Sequence, residues 1–475
     1  MHLRLPSATS STWAIAETAT TAILSLFSLM LIARAIGPQA AGTGAVAIAA
    51  FLLADLACAS LFSDSLVQRL ALSERHARSA TTAQVVAGLL GAVLLSLLAP
   101  SLARTVEAPE VQPLTLALAW LLPFSAFSGA MAGLVLRRHR YRLLASRALL
   151  GQPLGLAAGL LAAHAGWGPW AMAAQQAGNT LVTFLLMLGF GRQRLRPRFS
   201  GRAIADLWPV AGPQIVSVVV MAGRYRLFVL ALGVIAAEAV VAVCNVGFRV
   251  LDSALGVVWG TISRLALPRF CALQNDPEGL ADAYGDIAQL QALMGMPIAA
   301  GVALTAPDMV LALLGPAWAE AAQATRVVAS VAVLSFAWGE AGCLFIALGK
   351  TRRNLGLSVA SLAVPLGALL LLRPGTPVGV AACWAAGTVA VAPWIIWLVL
   401  RELRRPFRWL LGRIAPALAA TALMSLAVLL LRAQWQAPRP LVGLLAFART
   451  GAFTARAARM GGYDTAAMGA VAFNL

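Results

Sequence analysis

The sequence predicts an all-α polytopic membrane protein: two parallel-repeat six-helix lobes around a central cavity, plus one or two extra C-terminal helices. Three observations predict it. Apolar runs of about 20 residues, enough to cross a hydrocarbon core of about 30 Å, recur from end to end of the 475 residues. Only 11% of residues are charged and 60% are hydrophobic, whereas a soluble chain carries about 25% charge. One two-helix element is also written twice.

The first run, Trp13 to Ala33, follows a short polar lead and is closed by Arg34. It is too long for a signal-peptide core and is expected to be a retained span. Further spans are expected at 43–65, 80–100, 114–136, 148–166, 169–191, 209–235, 238–262, 290–314, 327–348, 355–372, 378–400 and 414–431. Basic residues collect on alternate loops: Arg69, Arg75 and Arg78, then "RRHRYRLLASR" (137–147), "RQRLRPRFSGR" (192–202), Arg264 and Arg269, "GKTRRN" (349–354) and "RELRRPFRWLLGR" (401–413). The positive-inside rule places these loops and the N-terminus in the cytoplasm. The net charge of +18 therefore reports topology and contact with anionic membrane lipids, not a nucleic-acid partner. Five scattered cysteines form no CxxC pair, and four histidines show no ligand spacing, so neither a metal nor another cofactor is expected. The tail from Leu441 to Leu475 begins apolar and turns polar; a degraded fourteenth span, an interfacial helix and disorder all fit it.

The repeated element is "SLMLIARAIGPQAAGTGAVAIAAFLLAD" (28–55), echoed by "LFVLALGVIAAEAVVAVCNVGFRVLD" (227–252). Each is an apolar run, a Gly near the bend, small residues, a second run, then Asp. "AAQQAGNT" (173–180) and "AACWAAGT" (381–388) repeat at a similar offset. That offset covers six spans. Six is even, so the halves enter the membrane in the same sense, as parallel repeats that enclose a midplane cavity and work by alternating access. The expected division is a first lobe at 1–205, a second at 206–413, and an extra helix with its tail at 414–475.

With spans and repeat in place, the chain resembles the Wzx-type O-antigen and exopolysaccharide flippases of the multidrug/oligosaccharidyl-lipid/polysaccharide exporter superfamily. The resemblance covers about residues 13 to 413 and rests on "ARAIGPQAAGTGAVAIAAF", "AGWGPWAMAAQQ", "LPRFCAL", "AYGDIAQLQALMGMPIAAGVAL" and "APDMVLALLGPAWAEAA". It implies a bacterial inner-membrane flippase of undecaprenyl-pyrophosphate-linked oligosaccharide units, not an enzyme. The implied partners are the lipid-linked oligosaccharide and the polysaccharide polymerase and export machinery. It also implies coupling to a proton or sodium gradient. One departure stands out: in "AGRYRLF" (222–228), Tyr225 occupies the place where family members often carry an acid.

A pyrophosphate cannot enter hydrocarbon unaided, so such a flippase needs intramembrane cations, each of which costs at least about 2.5–3.5 kcal/mol to insert. Arg224, Arg226 and Arg249 are the substrate-binding candidates. Asn245, Arg249 and Asp252 share one helical face by their spacing, either as a polar stripe on a cavity wall or as a packing pair. Asp55, the repeat-mate of Asp252, has no arginine at the matching spacing and needs a partner from another helix, or a proton. Asp55, Asp252, Glu340 in the span at 327–348, and Glu17 are the ion-coupling candidates. Gln175, Gln176 and Asn179 form a polar patch suited to interhelical hydrogen bonds. Asp308 and Glu320 flank a short outer helix and are expected to be wetted. Two relatives of the same fold compete with this reading: a flippase of the peptidoglycan lipid precursor, which charge cannot separate, and a drug or metabolite exporter, which favours acidic or aromatic cavities. A membrane glycosyltransferase or polymerase lacks support, since no acid pair, catalytic loop or Gly-rich phosphate loop is present.

Overall fold

The computed structural model describes residues 8–69, 72–138, 140–190 and 199–434. The tail at 441–475 and most of the basic segment 192–202 lie outside the described residues. Among the described residues no strand occurs. The helices are α1 (Ala8–Ser60), α2 (Ser63–Gln68), α3 (Glu74–Thr105), α4 (Val111–Ala119), α5 (Leu122–Arg137), α6 (Tyr141–His164), α7 (Trp170–Phe190), α8 (Gly201–Ile235), α9 (Glu238–Ala272) and α10 (Pro277–Leu314). They continue, after a 3₁₀ turn at Pro316–Trp318, with α11 (Ala319–Ser335), α12 (Ala341–Ala347), α13 (Thr351–Leu372), α14 (Pro377–Leu403) and α15 (Phe407–Gln434). Eight of the described helices are long and apolar enough to cross a membrane, nine if the bent pair α4–α5 is one span. The chain is an all-α, multi-pass membrane protein.

Local chemistry explains where these helices begin and bend. α1 holds both runs of the first repeated element, and its backbone breaks at Gly37 (φ 81°, ψ 170°), just before Pro38; only glycine takes that φ without strain. α3 starts on a capping box between Ser73 and His76. α10 and α14 start alike, with Asp276 or Thr376 accepting from a glycine N–H three residues on and proline at the first helical position. Two expected spans are discontinuous. The run at 114–136 is α4 and α5, bent by 41°. The run at 327–348 is α11 and α12, separated by residues 336–340, where Gly339 has a φ of 68°.

Contacts divide the chain into two compact units, Met1–Ala242 and Val243–Leu475. The division expected from the repeat falls at 205/206; α8, which follows it, packs against α1, α2 and α3 of the first unit. In that unit α6 and α7 approach closely because Gly155 lies against the Gln175 carbonyl and the Asn179 backbone, the small-residue packing expected in lipid. Gln176 donates to Thr180 within α7 (3.3 Å). At the end carrying the basic loops, Phe62, Leu66, Met131, Leu134, Met187 and Leu207 form a buried core. Arg137 donates to the carbonyls of Leu66, Val67 and Arg69, satisfying the last turn of α2. His76 Nδ1 accepts from the Ser73 N–H, so Nε2 carries the proton and donates to Asp206 at 3.2 Å. That bond, with Arg69 at 3.1 Å, holds the Asp206 carboxyl below the ordinary carboxylate range.

In the second unit α10 packs against α11 and α15, and α14 against α11 and α13. Arg413 of α15 bridges Asp282 (2.9 Å) and Asp286 (2.8 Å) of α10. Lys350 and Arg353 both reach Glu402. The basic loops therefore also fasten helix ends. Glu320 is exposed, but Asp308 is not wetted as expected: it is buried and ion-paired with Arg432 of α15. The cause is the extra helix, whose arginine returns to α10 from 124 positions away.

Breaking that pair should loosen α15. Removing one partner of a buried pair costs about 3–5 kcal/mol, and the partial exposure of Arg432 (29%) places Arg432→Ala below that range. Asp308→Ala should lower the melting temperature of the purified protein, and Asp308→Ala/Arg432→Ala should recover part of the loss. Equal melting of the wild type and both variants would remove the pair from any stabilising role.

Candidate functional site: buried charge in the two units

In the first unit the structure brings Asp55 and Arg226 together. α8 lies close on α1 because Gly223 has no side chain; a Cβ there would be 3.0 Å from Leu53 Cδ1 and 3.8 Å from Leu56 Cδ2. Ser125 of α5 is hydrogen-bond partner to the Asp55 carboxyl, and Arg226, one turn after Gly223, acts on it through its charge. The Asp55 Oδ1 atom is buried and accepts no hydrogen bond among the described residues. One turn along α1, the Cys58 thiol points to the Ala87 carbonyl (3.6 Å). Arg224, Tyr225 and Arg226 are all half-buried. Glu17 falls in α1, and its side chain lies outside the described residues.

In the second unit, α9 is fixed along one side. Cys244 donates to the Pro377 carbonyl (3.8 Å). Phe248 meets Trp384 edge-on with ring centroids 5.2 Å apart. Gly247 admits Thr325, whose Oγ1 would stand 2.7 Å from a Cβ there. These residues belong to one face. Asn245, Arg249 and Asp252 fall about a quarter to a third of a turn away by helical geometry. Their exposure agrees: Asn245 and Arg249 are half-buried, Asp252 is exposed, and Gly256, next on that face, has open space beside it. Asp252 is therefore not part of a buried packing pair.

Glu340 does not lie inside a continuous span as expected. It is the residue before α12, at the end of the break that follows α11. Ser263 of α9 donates to its Oε2 at 3.1 Å. The break exists because tertiary partners outweigh helix continuity: Phe336 fits against Gly295, and Tyr284 donates to the Trp338 carbonyl. Sequence spacing did not reveal this; the Gly339-Glu340 and Gly349 punctuation was the available signal. Among the described residues no group of His, Cys, Asp or Glu has metal-binding geometry.

Comparison with known proteins places this architecture. Residues 31–323 match the model of the family described as "Polysaccharide biosynthesis protein". The succinoglycan biosynthesis transport protein ExoT of Rhizobium meliloti (strain 1021) is 24% identical over 314 residues, 65% of this chain; the match takes in 63% of that relative's length. A lipid II flippase MurJ structure in an inward closed conformation aligns with a TM-score of 0.72 at 12% identity, covering 94% of this chain and 98% of its own. An inward-facing multidrug resistance MATE family transporter of the MOP superfamily aligns at 0.63 and 17% identity, covering 85% and 96%. The chain has the fold of these transporters.

Proposed function

Because the chain belongs to the polysaccharide biosynthesis protein family, we propose that it is a flippase for undecaprenyl-pyrophosphate-linked oligosaccharide units. It moves them from the inner to the outer leaflet of the bacterial inner membrane by alternating access, and supplies the polymerase and export machinery beyond. The observation that carries this reading is the placement of cations within apolar helices. Arg226 acts through its charge on buried Asp55, and Arg249 stands on the α9 face turned from the packing with Trp384 and Thr325. A charged arginine at such depth is costly and marks a polar pathway, and a guanidinium is the side chain best matched to a phosphate. Arg224, Arg226, Arg249 and Asn245 form the substrate-binding set, and the buried acids couple transport to an ion gradient.

Arginines of this kind suit an anionic lipid head more than the organic cations of drug exporters. A peptidoglycan precursor presents the same pyrophosphate, so sugar analysis separates the two flippases. A deletion strain should accumulate lipid-linked oligosaccharide on the cytoplasmic side, and its sugar composition identifies the substrate. Accumulation of peptidoglycan precursor instead, or of no lipid intermediate, would refute the polysaccharide reading. For orientation, reporters fused after Arg78, Arg142 and Arg198 should read cytoplasmic, and those near Glu107 and Trp318 external. Reversal at two or more sites would overturn the assigned topology.

A further inference from the structure

The break between α11 and α12 holds a buried acid in surroundings unlike those of Asp55. Ser263 of α9 donates to Glu340 Oε2 at 3.1 Å. The Cys343 thiol of α12 lies 3.7 Å from the same oxygen and 3.8 Å from the Ser263 carbonyl. From α10, fully buried Tyr284 donates its hydroxyl to the Trp338 carbonyl, two residues before Glu340. Gly339 is tightly held: a Cβ there would lie 2.9 Å from the Ala288 Cβ and 3.2 Å from the Tyr284 hydroxyl oxygen. The stacked rings of Trp259 and Phe336, with centroids 5.4 Å apart, close one side.

The titratable groups facing Glu340 are Tyr284 from α10 and Cys343 from α12, with Cys271 of α9 next to Cys343. Among the described residues, none of its partners is a cation or a second carboxylate. Two turns beyond Tyr284 on the same side of α10, Gln291 is 1% exposed, and its Oε1 accepts no hydrogen bond among the described residues. The break thus surrounds one buried acid with neutral groups, among the described residues. An ionised carboxylate with no cation beside it is expensive at such a place, whereas protonation leaves a neutral carboxylic acid. A hard metal cation would require a shell of several oxygens, and it would have to displace the hydrogen bonds that already engage Glu340 Oε2 and the Trp338 carbonyl.

We propose that Glu340, the residue before α12, is the carboxyl that binds the coupling proton. This rests on the transport reading and deepens it: the ion is a proton and its site is in the second unit. The step is the simple one, carboxylate plus proton giving carboxylic acid. Gly339 and Gly349, with φ of 68° and 69°, bound the short segment that carries Glu340.

Dicyclohexylcarbodiimide reacts with protonated carboxyls in apolar surroundings and so tests the assignment on the full-length protein without any substrate. Mass spectrometry should find the adduct on the peptide bearing Glu340. Labelling should fall about tenfold for each pH unit above the site's midpoint, as a single titrating group requires. It should be the same in sodium and potassium buffers. Should the reagent fail to reach the break, infrared difference spectra between low and high pH provide a second measurement: a protonated-carboxyl band should be present in the wild type and absent from Glu340→Gln. Protection by sodium at constant pH, or absence of both adduct and band, overturns the proposal. In vesicles containing lipid-linked oligosaccharide, Glu340→Gln should flatten the pH dependence of transport. Normal pH dependence in that variant removes the coupling role alone, whereas a wild type that labels but moves no lipid-linked sugar refutes the flippase reading alone.

Discussion

Gly42→Ala should eliminate most of the folded protein from the membrane, while Gly44→Ala, two residues on, should be tolerated. Both glycines belong to the small-residue stretch after the α1 break. A Cβ on Gly42 would stand 1.9 Å from the Glu238 carbonyl oxygen, 2.4 Å from its carbon and 2.9 Å from its Cα. All three are backbone atoms, so no rotamer change relieves the clash and the start of α9 must move. Overpacking costs about 1–3 kcal/mol and occasionally more, against a typical total stability of about 5–15 kcal/mol. This site belongs at or above the top of that range, because a main chain yields less than a side chain. The first obstacle at Gly44 is the Met172 sulfur, at 2.8 Å, and thioether chains adapt readily. Fluorescence size-exclusion profiles of tagged variants measure the contrast. Equal loss, or no loss, in the two variants would contradict the close approach of Gly42 to Glu238.

The second large effect belongs to the pair between α1 and α8. Arg226→Ala should reduce both abundance and transport, for separable reasons. It removes a positive charge that acts on buried Asp55, a loss below the range of about 3–5 kcal/mol for a broken buried pair because Arg226 is itself half-buried. It also removes a charge-assisted contact to pyrophosphate worth about 1.5–3 kcal/mol. The double change Asp55→Asn/Arg226→Ala removes both charges, so abundance should recover while substrate affinity stays about ten- to a hundredfold low. Arg226→Lys should fall between, since it keeps the charge without the fork. If the pair only locks helices together, the double variant regains transport as well. Arg249→Ala is the cleaner comparison, because its helical neighbour Asp252 is exposed and is not stranded by the change. Normal transport at normal abundance in Arg224→Ala, Arg226→Ala and Arg249→Ala together would reject the cationic pathway and favour a drug exporter.

What was legible in the sequence is what depends on local pattern. Apolar length marks a membrane helix wherever it occurs, and the Asp-Pro and Thr-Pro starts of α10 and α14 are written in adjacent residues. The face shared by Asn245, Arg249 and Asp252 also followed from spacing alone. Relations between distant helices were not legible. Nothing near Asp55 announces Arg226, and nothing near Asp308 announces Arg432. The interruption before Glu340 depends on Gly295 and Tyr284 of another helix, so a window centred on residues 327–348 sees only a continuous apolar run. Where charges meet across helices, the missing information is the packing itself; Gly223, the residue that lets α8 approach α1, was visible but had no assigned neighbour.

α3 has a further consequence. Its inward side is built from small residues such as Gly88, Ala92 and Ala99, with Leu95, while Leu90, Val93, Leu94, Leu97 and Leu98 are exposed along the other side. Where such exposed positions face the bilayer they touch acyl chains, which present no fixed shape to be matched. Leucine, isoleucine, valine and phenylalanine are nearly interchangeable there, because any of them meets the single demand of low polarity. Such a surface keeps almost no memory of descent: substitutions accumulate on it at little cost, while the inner glycines and alanines remain bound by the backbones they touch. A lineage of proteins of this kind can therefore lose most of its spelling and keep its shape.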